Sequence, residues 1–276
     1  MNRSVVAIMA HADDIEYYAG ATFAKYAAEG YRMLYGVLSR CNSGWTKSQK
    51  ENGYVASLDV IPQRRAEAQA AARVYGAELF QGDFLENCYT RRDGTRIVPS
   101  FTGAVGIGGE RIPLDRDLPS GTLLGVAAGA GEGWKDNRFV REIAELLVEW
   151  EPELVIGQET SNFNPDHLAA AVIVAAAWVQ ASTRKKIGPY WIPVAYPAPD
   201  TFRFPPFEPT QYVDVTGHES KCIEAMSCHR SQGGHLDSTH AHLRTSWAGW
   251  GARRGVRSAE AFYAVYPSAS GGPAAP

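Results

Sequence analysis

The sequence predicts an α/β fold: a mostly parallel sheet with helices on both faces, forming one domain over residues 1–267. Three observations predict it. Val5–Ala10 is an unbroken run of six apolar residues that reads as a buried strand. A helical pattern and a second apolar run follow at once, making a βαβ unit whose crossover is right-handed in nearly all known cases. Strand-like and helix-like segments then go on alternating along the chain.

The elements follow in order. Ile15–Glu29 is an Ala-rich helix closed by Gly30, and Tyr31–Leu38 is the second strand. Cys41–Leu58 is polar and reads as a loop. Pro62 opens a helix at its first position, Gly76 stops it after Tyr75, and Ala77–Phe80 is a short strand. Residues 84–135 are dense in glycine, with few helical or strand periods, and are expected to form an insertion. Asp136 is a plausible N-cap for a helix with apolar residues at 139, 140, 143, 146, 147 and 150, which Pro152 ends. Leu154–Gly157 is the next strand. Asn164 and Pro165 cap and open a helix that runs to about Ala181. Trp191–Tyr196 and Gln211–Val215 read as strands, separated by an extended loop with five prolines between Pro197 and Pro209. His218–His229 reads as helix, a Gly- and His-rich segment follows, and Phe262–Tyr266 is the last strand. The small-residue tail 268–276 is expected to be disordered.

Composition excludes several classes. A net charge of −3 with no Lys/Arg run argues against nucleic acid and against a membrane surface. The longest apolar stretch, Leu168–Val179, is too short to span a bilayer, and the N-terminus lacks the form of a signal peptide, so a cytoplasmic protein is expected. Cys41, Cys88, Cys222 and Cys228 contain no C-x-x-C pair and are read as reduced thiols.

The chemistry concentrates where the first strand ends. His11, Asp13 and Asp14 stand at the strand's carboxyl edge, where open α/β sheets bind ligands. Adjacent carboxylates are costly in a protein interior unless a cation or donors compensate them. His11 and Asp14 can hold one ion from one loop. His167, in the first turn of a helix just after another strand end, is the best candidate for a third ligand. Two histidines and a carboxylate suit catalytic zinc, and suit non-haem iron equally. The spare acid, Asp13, favours hydrolysis, because a hydrolytic zinc site needs a base beside its water.

These residues carry a resemblance. His11-Ala12-Asp13-Asp14-Ile15-Glu16 resembles the A-H-P-D-D-x-E signature of the PIG-L/LmbE-like zinc-dependent N-acetylglucosamine deacetylases. Arg64-Arg65-Ala66-Glu67 with Tyr75-Gly76 is similar to that family's R-x-x-E…L-G helix. Asn164-Pro165-Asp166-His167 resembles its H-P-D-H, and Lys221…Ala225…His229-Arg230-Ser231-Gln232 its late K…A…H-x-S-Q segment. The likeness spans about residues 4–83 and 136–232. It implies a Rossmann-like fold and one zinc ion held by His11, Asp14 and His167. Asp13 would be the general base and then the acid, and Arg64 and Asp83 would contact the sugar. Two departures stand out: Ala12 replaces proline, and Asn164 replaces the histidine used near the oxyanion. Asn164 as an N-cap, Asn164 as an oxyanion donor, and a late histidine (His229, His235, His240 or His242) in that role are the readings open here.

A dinucleotide-binding oxidoreductase would need a glycine-rich turn where this chain has His-Ala-Asp-Asp. A two-metal phosphoesterase would need a second set of acids. A non-catalytic sugar-binding module remains the durable rival, and retention of Asp13 argues against it. The expected substrate is an N-acetylglucosaminyl group, carried on a glycopeptide-antibiotic pseudoaglycone or, alternatively, on an inositol or chitin oligosaccharide. Trp45, Trp134, Trp191, Phe202, Phe204, Phe207, Trp247 and Trp250 suggest a wide apolar site, with the 84–135 insertion as its wall.

Overall fold

The computed structural model describes residues 3–41, 60–84, 86, 89–90, 96–100, 103–106, 111–112, 138–160, 164–196 and 208–267. The expectations for 42–59, the Pro197–Phe207 loop, the tail 268–276, Cys88, Trp45 and Trp134 fall outside these residues.

Among the described residues, three strands and three helices open the chain. They are β1 (Ser4–Met9), α1 (Asp14–Tyr18), α2 (Gly20–Ala28), β2 (Arg32–Ser39), α3 (Ile61–Tyr75) and β3 (Glu78–Phe84). Four short strands follow within the glycine-rich stretch: β4 (Tyr89–Thr90), β5 (Arg96–Ser100), β6 (Gly103–Gly106) and β7 (Arg111–Ile112). They pair antiparallel in the order β4-β5-β6-β7, so part of the 84–135 stretch is a small meander. The second half holds α4 (Arg138–Trp150), β8 (Leu154–Ile156), α5 (Pro165–Ser182), β9 (Tyr190–Pro193), β10 (Gln211–Asp214), α6 (Glu219–Met226), α7 (Asp237–Arg254) and β11 (Ala259–Val265).

The main sheet has seven strands in the order β10-β11-β9-β8-β1-β2-β3. β3, β2, β1, β8 and β9 run parallel, and β11 and β10 add an antiparallel edge. Alternation along β1 divides the core. Val5, Ala7 and Met9 pack with residues of α2, α3 and α6 on one face, while Val6, Ile8 and Ala10 pack with α4 and α5 on the other. A strand sandwiched in this way is apolar nearly throughout; all six β1 residues are buried, and the one polar side chain, Ser4, donates to the Trp150 carbonyl at 3.0 Å.

The strand order reverses between β1 and β8. Val5, Val6 and Ala7 pair with Leu154, Val155 and Ile156, and the ladder stops there. Beyond it the Gln158 Oε1 accepts the Ala10 N–H at 2.7 Å, taking over the bond the next ladder position would make. The two loops leaving β1 and β8 are therefore pinned side by side at the switch point, the crevice where ligands bind in this architecture.

Two helical expectations are corrected. The single helix over Ile15–Glu29 is two helices, broken at Ala19 with φ −149°. The break gives α2 its own N-terminus, whose Ala21 and Thr22 N–H groups donate to the buried Glu260 carboxylate at 3.1 and 2.7 Å. A Cβ on Gly20 would lie 2.5 Å from the Cys222 Sγ, so close packing fixes glycine at this junction. The Gly- and His-rich segment after His229 contains the 18-residue α7. Only Leu243, Trp247, Trp250 and Gly251 of that helix are buried. Cys41, Cys222 and Cys228 are free thiols, as the sequence predicts. Among the described residues no helix is long and apolar enough to cross a membrane.

Candidate metal centre

The site is assembled from the ends of β1 and β8. β1 delivers the chain into the turn His11–Asp13, and α1 begins at Asp14. The Asp14 Oδ2 accepts the His11 backbone N–H at 2.8 Å, which folds its carboxylate back toward the imidazole. From the other loop, Pro165 stands in the first turn of α5 and Asn164 caps it, with the Asn164 Oδ1 accepting the Asp166 N–H at 2.9 Å. His167 follows, buried at 4% exposure.

The side chains of His11, Asp14 and His167 converge, each offering one ligand atom within 4.8 Å of the others. His11 Nδ1 lies 3.2 Å from His167 Nε2 and 3.3 Å from Asp14 Oδ2, and His167 Nε2 lies 3.2 Å from Asp14 Oδ1. Ligands about 2.0–2.1 Å from a tetrahedral zinc stand roughly 3.3 Å apart. The donor set and its spacing therefore fit a divalent cation of that size. The electrostatics of the cluster favour positive charge. Burial works against ionisation of both groups. Even so, His167 and His11 hold the Asp14 carboxyl far below the usual range, and Asp14, Asp166 and Glu86 raise His11 well above its usual value.

Asp13 stands beside this cluster at the N-cap of α1 without capping it. Its Oδ1 is 3.3 Å from Arg64 Nη2, on α3, and its side chain keeps 15% exposure. Arg64 is 2% exposed, and its Nε and Nη1 are buried without a hydrogen-bond partner among the described residues. Burial opposes the guanidinium charge, but Asp13, Cys41, Glu86 and Glu67 outweigh it and keep Arg64 cationic.

The remaining candidates lie elsewhere. Asp83 is on the exposed side of β3, where Arg40 and Arg65 (3.4 Å) bind its carboxylate, 69% exposed. His229 is fully buried under α1, its Nε2 3.3 Å from Glu16 Oε2 and 3.5 Å from the Tyr35 hydroxyl. Tyr35 in turn reaches the Ala12 carbonyl and Glu16 Oε2 (2.8 Å). This network lies beneath the His11–Asp13 turn and encloses the His229 ring. Ser231 is held the same way: Glu67 accepts its N–H at 2.9 Å and its hydroxyl at 2.6 Å. His240 bonds the Gly234 carbonyl at 2.9 Å, and His242 packs edge-on to Tyr17. Trp191, Trp247 and Trp250 are packed in the core clusters.

Residues that sequence reasoning passed over are Asp166, Glu86 and Gln158. Asp166 Oδ2 lies 3.4 Å and Glu86 Oε1 3.8 Å from His11 Nε2. Asp166 sat inside a motif that had been read for its histidine. Gln158 adjoined a predicted strand end. Glu86 lay in the illegible stretch, with no local signal.

Comparison with known proteins agrees with this layout. Residues 6–178 match the model of the PIG-L family, described as GlcNAc-PI de-N-acetylase. Among solved structures, GalB, the 4-carboxy-2-hydroxymuconate hydratase of Pseudomonas putida KT2440, superposes with TM-score 0.65 at 19% identity, covering 99% of this chain and all of that one. The N,N'-diacetylchitobiose deacetylase of Pyrococcus horikoshii gives 0.64 at 17% identity, over 96% of this chain and 84% of its own. A deacetylase of teicoplanin biosynthesis, solved with teicoplanin, gives 0.62 at 18% identity, over 96% and 99%. At such identities the structures establish the shared α/β fold, and the hydratase among them means that the fold alone does not choose the reaction. The family match covers well over half of the sequence, and the chain belongs to the PIG-L family.

Proposed function

We propose that the protein is a zinc-dependent N-deacetylase that hydrolyses the acetamide of an N-acetylglucosaminyl group, releasing acetate and a free amino sugar. The observation that carries this reading is the convergence of His11, Asp14 and His167 with Asp13 beside them. His11, Asp14 and His167 hold the ion, which when bound acidifies a water and polarises the acetamide carbonyl. Asp13 takes the proton from the attacking water and returns it to the nitrogen that leaves as the amine. Arg64 orients the Asp13 carboxylate and, on this reading, its guanidinium borders the sugar site. At Asn164 the cap engages Oδ1, while Nδ2 carries the donors that an oxyanion needs. Asp83 contributes, on this reading, at the outer rim of the sugar site.

The substrate is proposed to be a glycopeptide pseudoaglycone. A deacetylase of teicoplanin biosynthesis and a deacetylase of the A40926 pseudoaglycone share the fold. On this reading the meander after β3 would form one wall of the substrate site. An inositol- or chitin-linked N-acetylglucosamine is the second reading, supported by the chitobiose deacetylase likeness. The test is acetate release, with mass spectrometry of the product, over a panel of free N-acetylglucosamine, N,N'-diacetylchitobiose, an N-acetylglucosaminyl inositol and a glycopeptide pseudoaglycone. Loss of an acetyl group fastest from the pseudoaglycone supports the proposal. No acetate from any of them, with zinc bound, removes the deacetylase reading and leaves a sugar-binding module.

A further inference from the structure

The His11 ring is approached from both sides. Nδ1 faces the ligand cluster, 3.2 Å from His167 Nε2 and 3.3 Å from Asp14 Oδ2. Nε2 points the opposite way, 3.4 Å from Asp166 Oδ2 and 3.8 Å from Glu86 Oε1. Asp166 is 5% exposed and Glu86 2% exposed, and neither belongs to the ligand set. A neutral imidazole has one bare nitrogen and one N–H. If Nδ1 is the ligand, Nε2 must carry the proton, and a buried N–H without an acceptor is costly.

We infer that Asp166 is the positioning residue of His11, accepting the Nε2–H so that the Nδ1 lone pair is fixed toward Asp14 and His167. The backbone of Asp166 is itself secured, because the Asn164 Oδ1 accepts its N–H at 2.9 Å in the first turn of α5. Asn164, Pro165, Asp166 and His167 thus act as one unit: the first caps, the second starts the helix, the third orients a ligand of the other loop, and the fourth ligates. Glu86 is the more distant acceptor. It is shared with the Ser39 hydroxyl, which donates to it at 3.3 Å, and it backs Asp166 rather than replacing it. Outer carboxylates of this kind hold a ligating imidazole in one tautomer and one orientation.

The inference rests on the metal reading above, and its test separates the two. Zinc dissociation constants are measured by competition with a chromophoric chelator for the full-length wild type, Asp166→Ala, Asp166→Asn and Glu86→Gln, with circular dichroism checking each fold. Asp166→Ala is expected to weaken zinc about 10–100-fold. Asp166→Asn keeps an acceptor oxygen and should recover much of that loss, and Glu86→Gln should fall short of tenfold. Wild-type affinity in Asp166→Ala overturns the inference while leaving the metal site standing. Failure of the wild type to bind zinc overturns both. Long-range ¹H–¹⁵N spectra of the zinc-loaded wild type give a reading that needs no variant: an Nε2–H tautomer at His11 supports the assignment, and an Nδ1–H tautomer overturns it.

Discussion

Arg64 Nη2 lies 3.3 Å from Asp13 Oδ1, joining the start of α3 to the turn that ends β1. The pair explains why an arginine sits 2% exposed at the head of an otherwise ordinary surface helix. It also gives Asp13 a fixed direction, which a proton-transfer group needs and a solvated turn acid lacks.

Asp13→Asn is therefore expected to keep zinc and the fold while losing about 10²–10⁴-fold in deacetylation rate, the usual worth of a positioned base. Arg64→Leu leaves Asp13 without its partner and should cost about 3 kcal/mol or more in stability, since breaking one side of a buried pair strands the other charge. Steady-state kinetics and urea unfolding read the two effects. Unchanged turnover in Asp13→Asn excludes it as the base.

Ser231→Ala tests the latch between α3 and the late segment. It removes the hydroxyl that donates to Glu67 at 2.6 Å, leaving the backbone N–H bond at 2.9 Å in place. A hydrogen bond to a charged acceptor is worth about 2 kcal/mol, so the urea midpoint should fall by that equivalent with zinc stoichiometry unchanged. Loss of zinc with no loss of stability would instead place Ser231 in the site.

Much of this layout was legible because the sheet's strands are continuous apolar runs and its helices carry Pro and Gly punctuation. β1, β2, α3, β8 and α5 appear at or within a few residues of their expected positions. The convergence of His11, Asp14 and His167 was readable because these residues flank strand ends. Other features depend on partners far away in sequence. The break at Ala19 follows from Glu260, 239 residues from Ala21. α7 was hidden by its glycines and histidines, and its signal is the buried spacing Leu243, Trp247, Trp250, closed by Gly255 at φ 70°. The burial of His229 against Glu16 and Tyr35 is likewise not disclosed by the H-x-S-Q pattern.

The metal-free protein should respond to pH through His11. Burial pulls its pKa down, but Asp14, Asp166 and Glu86 raise it well above the usual 6.5. A raised pKa means the folded, metal-free chain holds a proton that the unfolded chain releases. Its contribution to stability is fully present below about pH 6.5 and is lost as pH rises through the folded pKa. Asp14 has a depressed pKa, so its contribution is present above about pH 4 and is lost only in stronger acid. Metal must displace the His11 proton, so apparent zinc affinity should rise up to about tenfold per pH unit below that pKa, with measurable proton release. Thermal unfolding of metal-free and zinc-loaded protein between pH 6 and 9, and chelator competition across the same range, check both signs. A metal-free protein that grows more stable toward pH 9 contradicts the assignment.

The most direct measurement is metal content per chain in Asp14→Ala beside the wild type, by elemental analysis after exhaustive dialysis against metal-free buffer. Asp14 touches both histidines, at 3.3 Å through Oδ2 and 3.2 Å through Oδ1, so removing its carboxylate opens the cluster. The account predicts one zinc ion per wild-type chain and nearly none in Asp14→Ala, with acetate release from an N-acetylglucosaminyl substrate lost in parallel. A folded Asp14→Ala protein that retains one ion per chain would contradict it.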